Sequence, residues 1–512
     1  MNRYQFLQTL AIASEFRESE FAGNVRENSR KEDAKRALAG MRLSEIAKAT
    51  DAEDDLSILL GQSVHKLLAR ELASLTVATI NRFLLSSSAD LWWRRYRDGL
   101  SSEAIAVIVK VMTDDELSVI ASRYFNPLAA RPGEIVAVGS ANHLGSRLQA
   151  NSPRDDEQEV LFSILEGLSY GCGDVLLSLK PASENPESVL HLGRLLSQII
   201  DSLKLPTRFS VMTDNCNLAS GNSKFRANVT FLKLDGSSAG LKTATGLEAA
   251  DFVELACNSG DLYFQTGLRP DSKYDTAEKF DPALAESRAF GLARTIRQKI
   301  ERSQNRHPWI VAGSAIGQND KEVFFTGKQM LRFSLEKVAM ARLHGLTIGL
   351  DICASFHSGI VPVELRQLTA RIAEQASPSF LTATAGNADP LLGYLTTSFR
   401  EHPRLRRALG KQITSAMQKR LRELGATNPK GEPAAHALTT ARLYGQFAQA
   451  GGDTRSAETL HAEGLKKLEQ LKQRGFDLGY GHSGDYNTPK QVELRLETIY
   501  TQARRAIHAV PE

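Results

Sequence analysis

Residues 309–316 (WIVAGSAI) and 347–355 (TIGLDICAS) are two short apolar runs separated by an amphipathic stretch. Short runs of this composition are typical of β-strands that are covered on both faces. Between them, apolar side chains recur at helical spacing from Met330 to Met340, and Gly345 then offers a helix end. This order of strand, helix and strand predicts parallel strands joined by helices.

The same alternation continues in both directions and predicts an α/β fold. The eight strand candidates are residues 134–140, 174–181, 208–214, 228–236, 261–267, 309–316, 347–355 and 379–386. Eight β/α units fit a (β/α)8 (TIM) barrel, which typically has about 250 residues. The alternative is a doubly wound open sheet. Its dinucleotide-binding form would carry G-x-G-x-x-G after the first strand, and residues 139–145 (GSANHLG) lack that order. The barrel is therefore favoured.

The two ends of the chain read as helical. From Leu56 to Leu84 apolar residues recur at helical spacing, and no strand-like run interrupts the first part. We expect a helical N-terminal region over residues 1–130, a TIM barrel over 131–410 and a helical C-terminal extension over 411–512. Within the extension we expect helices at 434–450, 455–474 and 488–508, with a glycine-rich loop at 479–484. Residues 402–422 hold seven basic residues and no acid, which fits a solvated helix or a phosphate- or partner-binding face.

Composition excludes several classes of protein. The chain has 512 residues, with 63 Lys and Arg against 59 Asp and Glu, and this balance argues against nucleic acid as the main partner. No apolar run approaches the roughly 20 residues of a membrane span, and the start lacks a secretory signal, so a cytoplasmic location is expected. The four cysteines form no C-x-x-C pair. They indicate reduced thiols and no metal site.

Polar residues gather where the predicted strands end, which is where barrel enzymes place their chemistry. Arg147 and Gln149 follow the first predicted strand, Lys180 and Gln265 end the second and fifth, and Asp351 lies in the seventh. Guanidinium and amide groups donate to a hydroxyl oxygen, and a carboxylate accepts from an ammonium group. The set therefore suits a small molecule with hydroxyl and amino groups. Each residue taken singly also fits a structural salt bridge or a cap.

Several ordered segments resemble one known family, the heavy (large) subunit of ethanolamine ammonia-lyase. The likeness covers roughly residues 10–425 in the same order and at similar spacing, and nothing beyond about 430 has a counterpart. The segments are 146–149 (SRLQ), 154–156 (RDD), 166–174 (EGLSYGCGD), 262–267 (LYFQTG), 291–294 (GLAR) and 394–399 (YLTTSF).

The resemblance implies a TIM barrel behind a helical N-terminal region and adenosylcobalamin-dependent radical chemistry. In that family 2-aminoethanol is converted to acetaldehyde and ammonia. The cobalamin lies between the barrel and a separate light (small) subunit, so a hetero-oligomer is expected. This chain has no D-x-H-x-x-G cobalamin motif, and its cofactor-binding residues stay unassigned. Family members also occur in bacterial microcompartments.

The resemblance also implies roles for single residues. Arg147 and Gln149 match the pair that holds the substrate hydroxyl, and Asp351 matches a carboxylate that holds the amine. Gln265 stands where the family has a second amine-binding glutamate. Lys180 stands where it has an asparagine, and Phe264 is a further expected substrate contact.

These departures alter the expected substrate. Losing one charge-assisted hydrogen bond to an ammonium group removes roughly 1.5–3 kcal/mol. The pocket is therefore expected to suit protonated ethanolamine less well than an acidic or neutral relative, with Lys180 free to pair with Asp351.

Three functions follow from these features. The first is an ammonia-lyase heavy subunit acting on ethanolamine or a related amino alcohol. The second is a catalytically altered or inactive family member that serves as a binding or assembly protein. The third, an unrelated barrel enzyme for phosphorylated substrates, is motivated by Lys180, Lys233 and the basic segment, and the ordered motifs disfavour it.

Overall fold

The structure is a computed structural model. It describes all residues except 15–24, 51–53, 129, 131–133, 217, 219–223, 226, 268–280, 318–325, 355–359, 429–431, 434–435 and 476–512. The predicted glycine-rich loop at 479–484 and the predicted helix at 488–508 lie outside the described residues.

Eight parallel strands form one nearly closed barrel. In chain order they are β1 Gly145–Gln149, β2 Leu176–Leu179, β3 Phe209–Val211, β4 Val229–Lys233, β5 Asp261–Thr266, β6 Ile310–Ile316, β7 Thr347–Ile352 and β8 Phe380–Ala383. They are hydrogen-bonded in the order β3-β2-β1-β8-β7-β6-β5-β4. Phe209 of β3 also forms a parallel bridge to Asn228, the residue before β4. The prediction of a (β/α)8 barrel with helical extensions is confirmed.

The described helices precede, alternate with and follow these strands. The N-terminal set is α1 Arg3–Ile12, α2 Val25–Gly40, α3 Leu43–Thr50, α4 Asp55–Gln62, α5 Lys66–Leu72, α6 Val77–Leu85, α7 Ala89–Tyr96, α8 Ser102–Lys110 and α9 Asp114–Arg123. The barrel set is α10 Glu157–Ser169, α11 Pro186–Ser202, α12 Ser238–Thr245, α13 Ala249–Asn258, α14 Pro282–Gln304, α15 Gly327–Leu343, α16 Pro362–Gln375, α17 Glu401–Leu409 and α18 Ser415–Glu423. The last two are α19 His436–Ala450 and α20 Ala457–Gln473.

Local signals explain where several of these helices begin. The side chain of Asn185 accepts from the backbone N–H of Ser188, and Pro186 occupies the first helical position of α11. Thr326 and Gln329 form a reciprocal capping box at the start of α15. No described helix is long and apolar enough to cross a lipid bilayer.

The chain divides into two compact units. The first comprises residues 1–126, 232–348 and 371–378. In it the fully buried helix α8 lies beside α14, where Arg288 donates to Glu103 at 2.9 Å. Arg294 of the same helix donates to the carbonyl of Leu100 at 3.0 Å. These buried guanidinium groups attach the N-terminal helices to the helix that follows β5.

The second unit comprises residues 127–231, 349–370 and 379–512. It contains β1, β2, β3 and β8 together with α10, α11 and the C-terminal helices. One apolar cluster runs through it, from Leu148 of β1 through Phe162 of α10 and Leu196 of α11 to Tyr444 of α19. The inward face of β1 is the exception, because it carries polar side chains.

The first strand was predicted at the wrong position. Residues 134–140 form a bend and a turn, and the first strand is β1, Gly145–Gln149. Val136 instead exchanges hydrogen bonds with Ser415 at the start of α18, at 2.9 and 3.0 Å. The apolar run thus packs beside a helix end, while the true strand carries the polar side chains of Arg147 and Gln149 on its inward face.

Candidate active site

Arg147 and Gln149 share the inward face of β1. Strand alternation places Leu148 on the opposite face, where it packs against Gly167 of α10. The contact is so close that a Cβ added to Gly167 would lie 2.3 Å from the Cδ1 of Leu148. The Nη1 of Arg147 donates to the Oε1 of Gln149 at 2.6 Å. Both side chains are buried, with residue exposures of 1% and 3%. A guanidinium so deeply buried needs a counterion and several acceptors.

The partners of Arg147 lie on three other strands, β2, β7 and β8. Its Nη2 lies 3.2 Å from the Oδ2 of Asp351 in β7 and donates to the Oγ1 of Thr382 in β8 at 2.7 Å. Its Nη1 donates to the Oγ of Ser178 in β2 at 3.1 Å. The ion pair with Asp351 neutralises the buried charge, and the hydroxyls fix the plane of the guanidinium group.

Asp351 is surrounded by donors. Its Oδ2 accepts from Arg147 and from the Oη of Tyr394 at 3.2 Å, and its Oδ1 accepts from the Oγ1 of Thr396 at 3.3 Å and the Sγ of Cys353 at 3.1 Å. Burial, reinforced by the charge of Asp351, raises the pKa of Cys353 and of Tyr394 well above their ordinary values. The thiol and the phenol therefore stay protonated and act as donors to the carboxylate.

The orientation of the Gln149 amide is set by a second buried carboxylate. Its Nε2 donates to the Oδ2 of Asp389 at 2.5 Å and to the Oη of Tyr394 at 3.0 Å, which uses both amide hydrogens. Asn151 also donates to Asp389, at 2.9 Å. Burial raises the pKa of Asp389 above its usual value. Gln149 consequently presents its oxygen, not its nitrogen, toward Arg147.

Lys180 takes a different position from the one expected. Its Nζ lies 2.8 Å from the Oε1 of Glu184 and 3.2 Å from the Oδ1 of Asp214. Partial burial works against its charge, but the hydrogen bond to Glu184 and the charge of Asp214 raise its pKa above the ordinary value. The expected pair between Lys180 and Asp351 is wrong, because nearer carboxylates hold the lysine and Arg147 holds Asp351.

Gln265 lies in β5 of the first unit, at the carboxyl end of its strand. The Oη of Tyr263 donates to its Oε1, and its Nε2 donates to the carbonyl of Thr266 at 3.2 Å. A Cβ on Gly313 would clash with both Tyr263 and Gln265, so these three residues share one face of the sheet.

Phe264 lies on the other face of β5. Side chains alternate along a strand, so Phe264 and Thr266 point away from Gln265. The Oγ1 of Thr266 contacts the Oγ of Ser314 at 2.9 Å, and Ser314 accepts from Lys337 of α15 at 2.6 Å, which identifies this face as the helical side. The expectation that Phe264 contacts substrate is therefore corrected: it is a buried core residue between strand and helices.

A family profile described as "Ethanolamine ammonia lyase large subunit (EutB)" matches residues 3–436 of the chain. The chain is 25% identical over 449 residues to the ethanolamine ammonia-lyase large subunit of Escherichia coli (strain K12), which covers 83% of this chain and 94% of that protein. The large subunit of Salmonella typhimurium is 24% identical over the same length. The chain belongs to the ethanolamine ammonia-lyase large-subunit family. The resemblance to this family, which was inferred from the ordered motifs, is confirmed. The relatives are named as lyases.

Two features of this large-subunit family member were not found from the sequence. Asp389 and Tyr394 complete the polar cluster of Arg147, Gln149 and Asp351, yet neither was assigned a role. Asp389 follows a predicted strand, and Tyr394 opens one of the segments that carried the resemblance, so position and motif were both available as signals. Their side-chain directions were not, because they lie in the loop after β8 and obey no strand or helix period.

The described residues of this family member hold no group of three or more His, Cys, Asp or Glu side chains suited to a metal ion. The polar cluster offers instead guanidinium, amide, hydroxyl and carboxylate groups at small separations. That chemistry suits a polar organic molecule of a few atoms.

Proposed function

We propose that this chain is the large subunit of an adenosylcobalamin-dependent ammonia-lyase that acts on ethanolamine or a related amino alcohol. The observation that carries the proposal is the buried cluster of Arg147, Gln149 and Asp351 at the ends of β1 and β7. It combines, within one ion pair, a group that donates to a hydroxyl oxygen and a group that accepts from an ammonium.

The polarity of the cluster assigns each end of the substrate. The guanidinium of Arg147 would donate to the hydroxyl oxygen, and the Oε1 of Gln149 would accept a hydrogen bond from the hydroxyl group, because the Gln149 amide hydrogens are already used. The carboxylate of Asp351 takes the ammonium group. The ammonium of the substrate would share the Asp351 carboxylate with the Arg147 guanidinium, which leaves these three groups with a net charge of +1.

The site fits the environment that a radical cofactor requires. Arg147, Gln149, Asp351, Tyr394 and Asp389 are all at most 5% exposed, so bulk water has little access to the reacting atoms. When bound, adenosylcobalamin supplies the hydrogen abstraction, and this chain's residues supply binding, orientation and exclusion of water. The residues that would hold the corrin are not assigned. A light subunit completing that site, and hence a hetero-oligomer, is part of the proposal, as is a cytoplasmic location.

Gln265 carries the second candidate function. If it occupies the place of an amine-binding glutamate, the site offers the ammonium one carboxylate instead of two, which weakens binding by roughly 1.5–3 kcal/mol. A family member with such weakened substrate binding would serve as a binding or assembly protein. Lys180 gives this alternative no support, because Glu184 and Asp214 neutralise its charge.

The test is ammonia release from a panel of amino alcohols by the chain combined with its light subunit and adenosylcobalamin. Activity that needs all three components, and that disappears in Arg147→Met at a temperature where circular dichroism shows this variant still folded, supports the lyase. Tight complex formation without turnover of any amino alcohol supports the binding or assembly protein. The Arg455→Gln variant, changed in an exposed loop between α19 and α20, is the matched control for the loss of an arginine.

A further inference from the structure

The C-terminal hairpin, α19 and α20 with the loop between them, begins at residue 436, where the family match ends. Its two helices approach closely because Gly464 faces Ala441, where a Cβ would lie 3.0 Å from the opposing backbone carbon. Nothing in the proposed chemistry uses this segment, yet it is integrated into the second unit.

The hairpin covers α10. Eleven of the thirteen residues of α10 are buried, which is unusual for a barrel helix, since one side of such a helix normally faces water. Tyr444 of α19 stacks on Phe162 of α10 with ring centroids 5.3 Å apart. Leu443, Leu468 and other apolar hairpin residues join the same core cluster. The apolar sequence of α10 thus matches a helix packed on both sides.

The end of the hairpin reaches the loop between β1 and α10. Arg474, directly after α20, lies 3.3 Å from the Oδ2 of Asp156 and 3.7 Å from the Oε1 of Glu159. Asp156 caps α10 through its other oxygen, at 2.9 Å from the N–H of Gln158. The Glu159 side chain is fully buried and also binds Arg154, so its charge is held by two arginines.

The same loop leads to the candidate active site. The Oγ of Ser152 donates to Glu159 at 2.6 Å and accepts from the N–H of Asp156 at 3.1 Å. Its neighbour Asn151 donates to Asp389, which in turn orients Gln149. Arg474 is therefore joined to Gln149 by a chain of contacts in which every step is a hydrogen bond, an ion pair or a peptide bond.

We propose that Arg474 is a positioning residue, through which the C-terminal hairpin holds the β1–α10 loop and so the amide of Gln149. Its consequence for turnover rests on the proposed function. Its effect on the loop is structural and holds whatever the substrate is. Arg474 touches no reacting atom in this scheme and acts only through Asp156 and Glu159.

Hydrogen exchange in the full-length chain tests the structural part. In Arg474→Gln, peptides spanning residues 150–156 should exchange about two- to fivefold faster, as expected for one partly exposed ion pair. Arg474→Lys should restore most of the protection, and the thermal midpoint should stay unchanged. The control Arg455→Gln removes an arginine that pairs with Asp453 and Glu463 in the same hairpin, and it should leave this loop as it was.

Kinetics of the complex with light subunit and cofactor test the functional part. Arg474→Gln should raise KM for the amino alcohol more than it lowers kcat. Unchanged loop exchange overturns the proposal, and so does faster exchange throughout the unit with a lower midpoint, or an unchanged KM in an active complex. Faster loop exchange in a complex that turns over no amino alcohol upholds the positioning role and refutes the proposed function instead.

Discussion

The Nη2 of Arg147 lies 3.2 Å from the Oδ2 of Asp351, with both side chains inside the barrel. The pair joins the residue expected to hold a hydroxyl to the residue expected to hold an amine. Because both charges are buried, neither can lose its partner without a large penalty. We therefore expect this pair to contribute both to the proposed substrate site and to the stability of the fold.

Removal of one charge from this pair should be costly. Asp351→Asn leaves the Arg147 guanidinium without its counterion, and we expect a loss of about 3–5 kcal/mol in the free energy of unfolding. Adding Arg147→Met should recover part of that loss, because no unpaired charge then remains. Chemical denaturation of the two single variants and the double variant measures the coupling. Strictly additive losses would contradict the ion pair.

Among the residues that differ from the expected family pattern, Gln265 should have the largest effect on substrate binding. Gln265→Glu restores one carboxylate and is expected to strengthen ethanolamine binding about tenfold or more, from one charge-assisted hydrogen bond. Lys180→Asn is the matched control, because Glu184 and Asp214 already neutralise that lysine. Calorimetric titration of each variant complex with ethanolamine measures the effect. An improvement from Lys180→Asn alone would show that the lysine acts on the substrate.

Asp389 should fix the orientation of the Gln149 amide in addition to any contribution to stability. In Asp389→Asn the carboxylate that accepts from Gln149 and Asn151 is lost, so the Gln149 amide is free to turn its nitrogen toward Arg147. We expect KM for the amino alcohol to rise about tenfold, by loss of one well-oriented hydrogen bond. Steady-state kinetics check this. An unchanged KM would mean that Gln149 is held by Tyr394 alone.

His402 should make the fold acid-sensitive. Burial, with help from Arg406, lowers its pKa from 6.5 to about 3. The neutral ring therefore contributes stability that is present above pH 6.5 and is lost as the pH falls from there toward 3, with a slope of up to about 1.4 kcal/mol per pH unit. His402→Gln keeps a donor for the carbonyl of Thr382 and should flatten this slope. Urea denaturation across the range measures it, with the exposed His307→Gln as control.

The barrel was predictable because its strands follow one rule. Most of them are covered on both faces and appear as apolar runs, as in 309–316 and 347–355. The first strand broke that rule, because Arg147 and Gln149 place polar side chains on its inward face. The apolar run at 134–140 was the stronger signal although it forms a bend and a turn.

The site was predictable in part for a related reason. Strand ends place residues at one edge of a barrel, which correctly brought Arg147, Gln149 and Asp351 together. The rule gives neither the direction of a side chain nor its nearest opposite charge. The prediction of a substrate contact was therefore wrong for Phe264, which faces the helices. It was also wrong for the pairing of Lys180, which forms an ion pair with Glu184 in the loop after β2.

The most direct measurement is an experimental structure of the complex with its light subunit, adenosylcobalamin and a bound amino alcohol. We expect the hydroxyl oxygen about 3 Å from Arg147 and from the Oε1 of Gln149, with the amino nitrogen at the same distance from Asp351. We also expect Lys180 still paired with Glu184. An amino alcohol bound away from the Arg147–Asp351 pair, with that pair intact, would contradict the proposed mode of binding.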